Sequence, residues 1–303
     1  MRIILIGQAA FAERVLDGLR ARRHEVLALY CPPDTGDRSD PVKARALALG
    51  IPVRQHRTLK GAEVQSEFAT LAADLAVLAY VTQIVPPNVF ERPRLGSICF
   101  HPSLLPRYRG GSAINWQIIR GETETGVSVF WVDPGIDTGP IVVQKTATIR
   151  PHDTAGSLYY DTLFLLGVQA VLEAVDLIAA GEAPRLPQDE SRATYDPLCR
   201  DAHVAIDWSH PVTAIYNLIR GSDPQPGAYT LWHGEKLRLY DAALVPGGQL
   251  RPGVIEQIAD DGWVIGARDG GVRVRRVRAG EKKVDAAVFA ADKGITAGAA
   301  LGS

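Results

Sequence analysis

Cysteine, net charge and unbroken apolar runs are what this 303-residue chain lacks. Its three cysteines, Cys31, Cys99 and Cys199, are too few and too scattered for a disulfide framework or a zinc site. Lys and Arg number 33 against 34 Asp and Glu, so no overall field draws the chain to nucleic acid or a membrane surface; only a local basic patch could. The longest apolar segment, within Leu163–Ala180, is interrupted by Gln169, Glu173 and Asp176, so it is not expected to span a bilayer. The turn Gly7-Gln8-Ala9-Ala10-Phe11-Ala12 has one glycine where a dinucleotide fingerprint needs three, which argues against NAD. The seven histidines never fall at ligand spacing, so no metal is expected. Met1 leads straight into a strand with no signal peptide ahead of it, and a soluble, cytoplasmic protein is the expectation.

What is present is a βαβ pattern. Arg2–Ile6 reads as a strand ending at Gly7, Phe11–Arg22 as an amphipathic helix and Val26–Cys31 as the next strand. The loop that follows is short and carries Asp34, Asp37 and Asp40. Val42–Leu49 and Glu63–Ala73 read as helices, and Leu75–Ala79 as a strand apolar on both faces. Tyr80–Pro86 is too apolar for a simple exposed connection, so it is either a ligand-pocket wall or an edge packed on the core.

Val127–Val132 and a strand from Ile141 to about Thr146 flank the loop Asp133–Pro140, whose aspartates and glycines suggest a tight turn. Asp153 or Thr154 caps a long helix, Leu158–Ala180. Gly181–Arg200, with three prolines, reads as a linker. Beyond one helix at Pro211–Ile219, short strands broken by Gly and Pro imply a small barrel. The expected fold class is α/β: a Rossmann-like, mostly parallel sheet domain over 1–203, then a small OB-like β-barrel domain over 204–303.

The chain is organised around Gly96–Trp116. Ser97–His101 alternates so that Cys99 and His101 share one face and Ile98 and Phe100 the other. The strand stops at Pro102 and enters a loop holding Pro106, Arg107, Arg109 and Gly110-Gly111, after which a helix begins at Ser112. A histidine at the carboxyl end of a strand lies where open α/β sheets bind ligands.

His101, the run Ser103-Leu104-Leu105-Pro106 and the turn Gly135-Ile136-Asp137-Thr138-Gly139 fall in an order that closely resembles the formyltransferases using 10-formyltetrahydrofolate. The likeness covers nearly the whole chain, including Ile215–Gly221 and Pro226-Gly227-Ala228. Within that family the chain is most similar to the N-terminal hydrolase half of the 10-formyltetrahydrofolate dehydrogenases, on Ser112–Trp116 and Ala183–Gln188 among others, and it is related to the methionyl-tRNA formyltransferases. The resemblance implies 10-formyltetrahydrofolate as formyl donor, bound at the strand ends by Gln83, Ile84, Val85, Ser103, Leu104, Leu105, Pro106 and Asp137.

It also implies catalysis by His101 and Asp137, with attack by water or an amine on the formyl carbon. One departure concerns Cys99, which stands where the family has an asparagine. Losing an oxyanion donor of that kind typically costs about 10²- to 10³-fold in rate. The dehydrogenases' hydrolase half also lacks the asparagine, which points toward hydrolase-like chemistry. Cys99 shares a face with His101, so a thiolate that accepts the formyl group and a packed core cysteine are both open readings.

The acceptor is the open part. The basic run Arg273, Arg275, Arg276 and Arg278, with Lys282 and Lys283, is the one feature that suits tRNA. Strict alternation would split those arginines between two faces, and the loop after the second strand is acidic, so tRNA is disfavoured. A small amine or sugar acceptor and a catalytically weak folate-binding module stay as alternatives.

Overall fold

Short apolar runs in the first hundred residues form parallel strands because both of their faces are covered. In the computed structural model, which describes residues 1–36, 39–245 and 247–302, they alternate with helices. The order is β1 (Arg2–Gly7), α1 (Ala9–Ala21), β2 (Glu25–Cys31), α2 (Pro41–Ala48), β3 (Val53–Gln55), α3 (Ala62–Leu71), β4 (Leu75–Ala79), α4 (Pro87–Phe90) and β5 (Ser97–His101). Then come α5 (Ala113–Ile119), β6 (Glu124–Trp131), β7 (Ile141–Thr148), α6 (Ala155–Leu158) and α7 (Phe164–Ala180). The chain divides into two compact units, the first comprising Met1–Gly111, Thr125–Ala147 and Asp161–Tyr195.

That first unit is built on a seven-stranded sheet in the order β3-β2-β1-β4-β5-β6-β7. β1 to β5 run parallel, and β6 lies antiparallel to β5. The strand order reverses between β1 and β4, so the crevice beyond their carboxyl ends is a topological switch point. One face of the sheet buries Tyr30, Val64, Phe68 and Val89. On the other, α1 and α7 pack together, and Phe11 stacks on Phe100 with ring centroids 4.3 Å apart. A Cβ at Gly167 would come within 2.4 Å of the Phe100 ring, so glycine is what lets α7 lie this close to β5.

The long helix expected from Leu158 is interrupted: a π-helical turn over Tyr159–Leu163 separates α6 from α7. A one-residue insertion of this kind leaves helical periodicity nearly intact, which is why the pattern did not register it. Ala155–Ala180 is by length and composition apolar enough to cross a membrane. Its Gly167, Ala170, Val171, Ala174 and Val175 are buried inside the protein, as in a core helix.

The second unit comprises Ser112–Glu124, Thr148–Tyr160 and Asp196–Ser303. It adds α8 (Val212–Gly221), β8 (Tyr229–Trp232), β9 (Glu235–Val245), β10 (Ile255–Ala259), β11 (Gly262–Ala267), β12 (Gly270–Arg278), β13 (Val284–Asp285) and α9 (Ala286–Lys293). The sheet runs β10-β11-β12-β9-β8, with β13 beside β12. Its core gathers Ile215, Leu237, Leu239, Trp263, Ile265, Val272, Val274 and Val277. The sequence reading had no helix after the strands; α9 adds Ala286, Phe289 and Ala290 to that core.

The arginines of β12 do not divide between two faces. Val272, Val274 and Val277 all reach the same core, so alternation breaks at Arg275-Arg276, and all four arginines keep exposure. The paired strand bends beside the same place, with Asp241 at φ +53 next to Tyr240, the partner of Arg276. Strict alternation presumes extended backbone throughout the paired strands, which the left-handed Asp241 interrupts.

Candidate active site

β5 carries Phe100 to the α1 side and Cys99 and His101 to the opposite face, as a period of two requires. Antiparallel pairing with β6 sets His101 opposite Ser128 and Cys99 opposite Phe130. His101 is 5% exposed, and its Nε2 lies 2.8 Å from the Tyr108 carbonyl oxygen. A carbonyl can only accept, so Nε2 carries a hydrogen in either charge state of the ring. Nδ1 is therefore the nitrogen that can gain and lose a proton. It faces Asp137 Oδ2 at 3.5 Å.

Asp137 is held from its own turn and from the loop after β5. The Gly110 N–H donates to Asp137 Oδ2 at 2.8 Å. The residue sits at φ +57, a left-handed conformation that aspartate tolerates better than most side chains. Asp133 organises the turn: its Oδ1 accepts from the Gly135 N–H at 3.1 Å and from Thr138 Oγ1 at 2.5 Å. Gly139 closes it, because a Cβ there would lie 1.7 Å from the Trp131 carbonyl oxygen.

The other expected site residues divide by accessibility. Ser103 is fully buried: its hydroxyl donates to the Arg107 carbonyl, and its own carbonyl accepts from Ser128 Oγ. Leu105 packs with Phe130, Ile141 and Cys99. Its N–H and carbonyl are bonded to Ser128 and Gln144, and Pro106 accepts from the Thr194 N–H. Leu104 lies at the Cβ position of Gly126.

The loop leaving β4 starts at the level of the site, since Leu78 pairs with Cys99. Within it the Gln83 side chain donates to the carbonyls of His56 and Arg57, and Val85 packs on the core. Ile84 is 62% exposed. A narrow cleft nearby is lined among others by Gly7, Gln8, Tyr30, Tyr80, Thr82 and Gln83. Asp34 pairs with Lys43 and Asp40 caps α2, whereas Asp37 lies outside the described residues.

Cys99 is partly buried and its Sγ lies 3.5 Å from the Phe100 carbonyl oxygen. Burial first, and the charge of Asp137 second, push its thiol far above the usual range. A protonated thiol is no nucleophile, so the packed-cysteine reading is the one the environment favours.

Arg109 and the segment behind it were legible only as a loop and a linker. The structure shows otherwise. Arg109 has no exposed surface, and its guanidinium donates to Gln188, Glu190 and the Tyr195 hydroxyl. Gln188 in turn donates to the carbonyls of Asp137 and Gly139. Leu186 pairs with Ile141, while Thr194 bonds to Pro106, Tyr108 and Arg109. Prolines in Gly181–Arg200 suppress regular structure, which read as linker composition, but they leave side chains and carbonyls able to tie down a neighbouring loop.

Among the described residues no group of three His, Cys, Asp or Glu side chains is placed to hold a metal ion. The loops beside the pair expose apolar side chains. Tyr80, Ile84 and Ile136 are exposed large hydrophobic side chains on the two loops that adjoin His101 and Asp137.

The family description "Formyl transferase" matches residues 1–175, and "Formyl transferase, C-terminal domain" matches residues 200–294. The mitochondrial 10-formyltetrahydrofolate dehydrogenase of Mus musculus is 38% identical over 288 residues, covering 89% of this chain and 31% of that protein. The chain thus spans about a third of the length of the first curated relatives it matches. The methionyl-tRNA formyltransferase of Moorella thermoacetica is 38% identical over 291 residues, covering 94% of this chain and 93% of that protein. Among solved structures, HypX from Aquifex aeolicus superposes with a TM-score of 0.71 at 23% identity, over 97% of this chain and 48% of that one.

Proposed function

Because the chain belongs to the formyl transferase family, we propose that it draws a formyl group from 10-formyltetrahydrofolate and delivers it to water, with His101 and Asp137 moving the protons. The observation that carries this reading is the facing pair His101 Nδ1 and Asp137 Oδ2 at 3.5 Å, with Nε2 locked on a carbonyl. The folate donor supplies an electrophilic formyl carbon when bound. Nδ1, in its protonated form, donates to the formyl oxygen as negative charge builds there. Asp137 orients the attacking water and accepts its proton. The C–N10 bond then breaks, the proton passes to N10, and formate leaves with tetrahydrofolate.

Three further observations support the choice of donor and acceptor. The exposed Tyr80, Ile84 and Ile136 suit one face of a pterin. Cys99 supplies no amide donor beside the histidine, in keeping with the slower chemistry of a hydrolase. Half of the basic run of the second unit is paired with carboxylates: Arg273 with Asp261, Arg276 with Asp285, and Lys283 with Asp223.

Incubating the protein with 10-formyltetrahydrofolate alone, and following tetrahydrofolate by absorbance and formate enzymatically, tests the reading. One formate per tetrahydrofolate is expected. A chain that releases no formate alone but formylates an added amine or charged tRNA refutes the water acceptor. Near-full-length similarity to the Moorella methionyl-tRNA formyltransferase is what favours that second reading.

A further inference from the structure

We propose that Gln188 is a positioning residue for Asp137, held in place by the buried guanidinium of Arg109. The inference rests on the reading of Asp137 given above and extends it to a residue outside the reacting atoms.

The Gln188 amide is fully engaged, and its orientation is chemically forced. Its Oε1 accepts from Arg109 Nη2 at 2.8 Å and Nε at 3.2 Å. Its Nε2 donates to the Asp137 carbonyl at 2.9 Å and the Gly139 carbonyl at 2.7 Å. A guanidinium only donates and a carbonyl only accepts, so flipping the amide would break all four bonds. The turn it grips contains the left-handed Asp137, a conformation that persists where its surroundings hold it. Gly110 restrains the carboxylate and Gln188 restrains the backbone, so the orientation toward His101 is set from two sides.

Arg109 is the fixed point. All five of its N–H donors have acceptors: two bonds go to Gln188, two to Glu190 at 2.6 and 2.9 Å, and one to the Tyr195 hydroxyl at 2.8 Å. Its own backbone N–H donates to the Thr194 carbonyl, which ties it to the chain segment that carries Gln188. Its donors are all taken up by this network, so its role is support of the turn.

Gln188→Glu separates positioning from packing. A glutamate keeps an acceptor for Arg109 but has no N–H for the Asp137 and Gly139 carbonyls. Formate release from 10-formyltetrahydrofolate should show kcat down roughly 10- to 100-fold with KM within about threefold, as expected when a reacting group is displaced by about an ångström. The thermal midpoint should fall no further than in Gln188→Ala. The ¹⁵N resonance of His101 Nδ1 should move in both Gln188→Glu and Gln188→Ala, because Asp137 no longer faces it in one place.

Unchanged kcat together with an unmoved His101 resonance overturns the proposal. So does a kcat loss that appears in Gln188→Ala only and tracks its thermal midpoint, since that is packing. If His101→Ala or Asp137→Asn retains normal formate release, the functional reading fails instead, and the resonance still decides whether Gln188 positions Asp137.

Discussion

Arg109 in the first unit and Arg273 to Arg278 in the second are the same kind of side chain in opposite surroundings. Arg109 is wholly buried with every donor engaged; the side chains of Arg273 and Arg276 are 32% and 44% exposed, each beside one carboxylate. A buried guanidinium survives only where each N–H has an acceptor, and removing a partner leaves an uncompensated charge. An exposed one exchanges its carboxylate for water at little cost. The comparison teaches that arginine count says little about function. The environment makes one arginine the anchor of a site and leaves the others on a solvated face.

The sharpest contrast should come from the groups the Arg109 network serves. His101→Ala and Asp137→Asn are each expected to lower formate release about 10²- to 10⁴-fold, with unchanged circular dichroism. Either variant working near normally would detach the buried network from catalysis. Next in size is Arg109→Met, which strands the acceptors on Gln188, Glu190 and Tyr195. Urea unfolding should show a larger loss than Arg276→Gln gives, because the hydrogen bonds that hold Gln188 against the turn are lost together. Arg276→Gln should stay within about 0.5 kcal/mol, and equal losses in the two would mean that burial is not what separates them.

The two units should also answer acid differently. His24 in the first is held below its usual 6.5 by burial, and then by the N-terminal ammonium, which bonds its Nδ1 at 3.2 Å. The unfolded chain therefore takes up that proton first. Stability from neutral His24 is present above pH 6.5 and lost as pH falls below it. Asp201 in the second unit is drawn down to about 2 by hydrogen bonds from Arg238 and then Lys236. Its contribution is present above its ordinary value of 3.8 and lost as pH falls toward about 2.

Hydrogen-exchange protection, corrected for the intrinsic pH dependence of exchange, should thus fall around His24 once the pH drops below 6.5, and around Asp201 only below 3.8. A His24→Gln variant that leaves the first response unchanged would remove its cause. The smallest effect is expected on the stripe itself. Raising salt should alter the stability cost of Arg273→Gln by a few tenths of a kcal/mol at most.

Much of the first unit was legible because its signals are local. The apolar run of Leu75–Ala79 announces a strand covered on both faces, and the alternation of Ser97–His101 set Cys99 and His101 on one side. The order of His101, the Ser-Leu-Leu-Pro run and the Gly-x-Asp-Thr-Gly turn marked both halves of the facing pair. The tie between Arg109 and Gln188 was not legible. Seventy-nine residues separate them, and neither stands in a periodic pattern. The broken alternation at Arg275-Arg276 was hidden too, because it goes with an irregular residue, Asp241, on the strand paired with it.

By itself the sequence determined which elements form, which faces of them are apolar, and which imidazole and carboxylate are available for chemistry. The elements and their faces follow from periodicity and residue type, which act over a few bonds; the imidazole and the carboxylate were marked by the family resemblance of the motifs that carry them. Only the tertiary structure decided which His101 nitrogen faces Asp137, that the Cys99 thiol stays protonated, and that a buried arginine braces the turn through an amide. Those outcomes depend on burial and on hydrogen-bond partners brought from distant parts of the chain. Dielectric and directionality arise only when the segments meet.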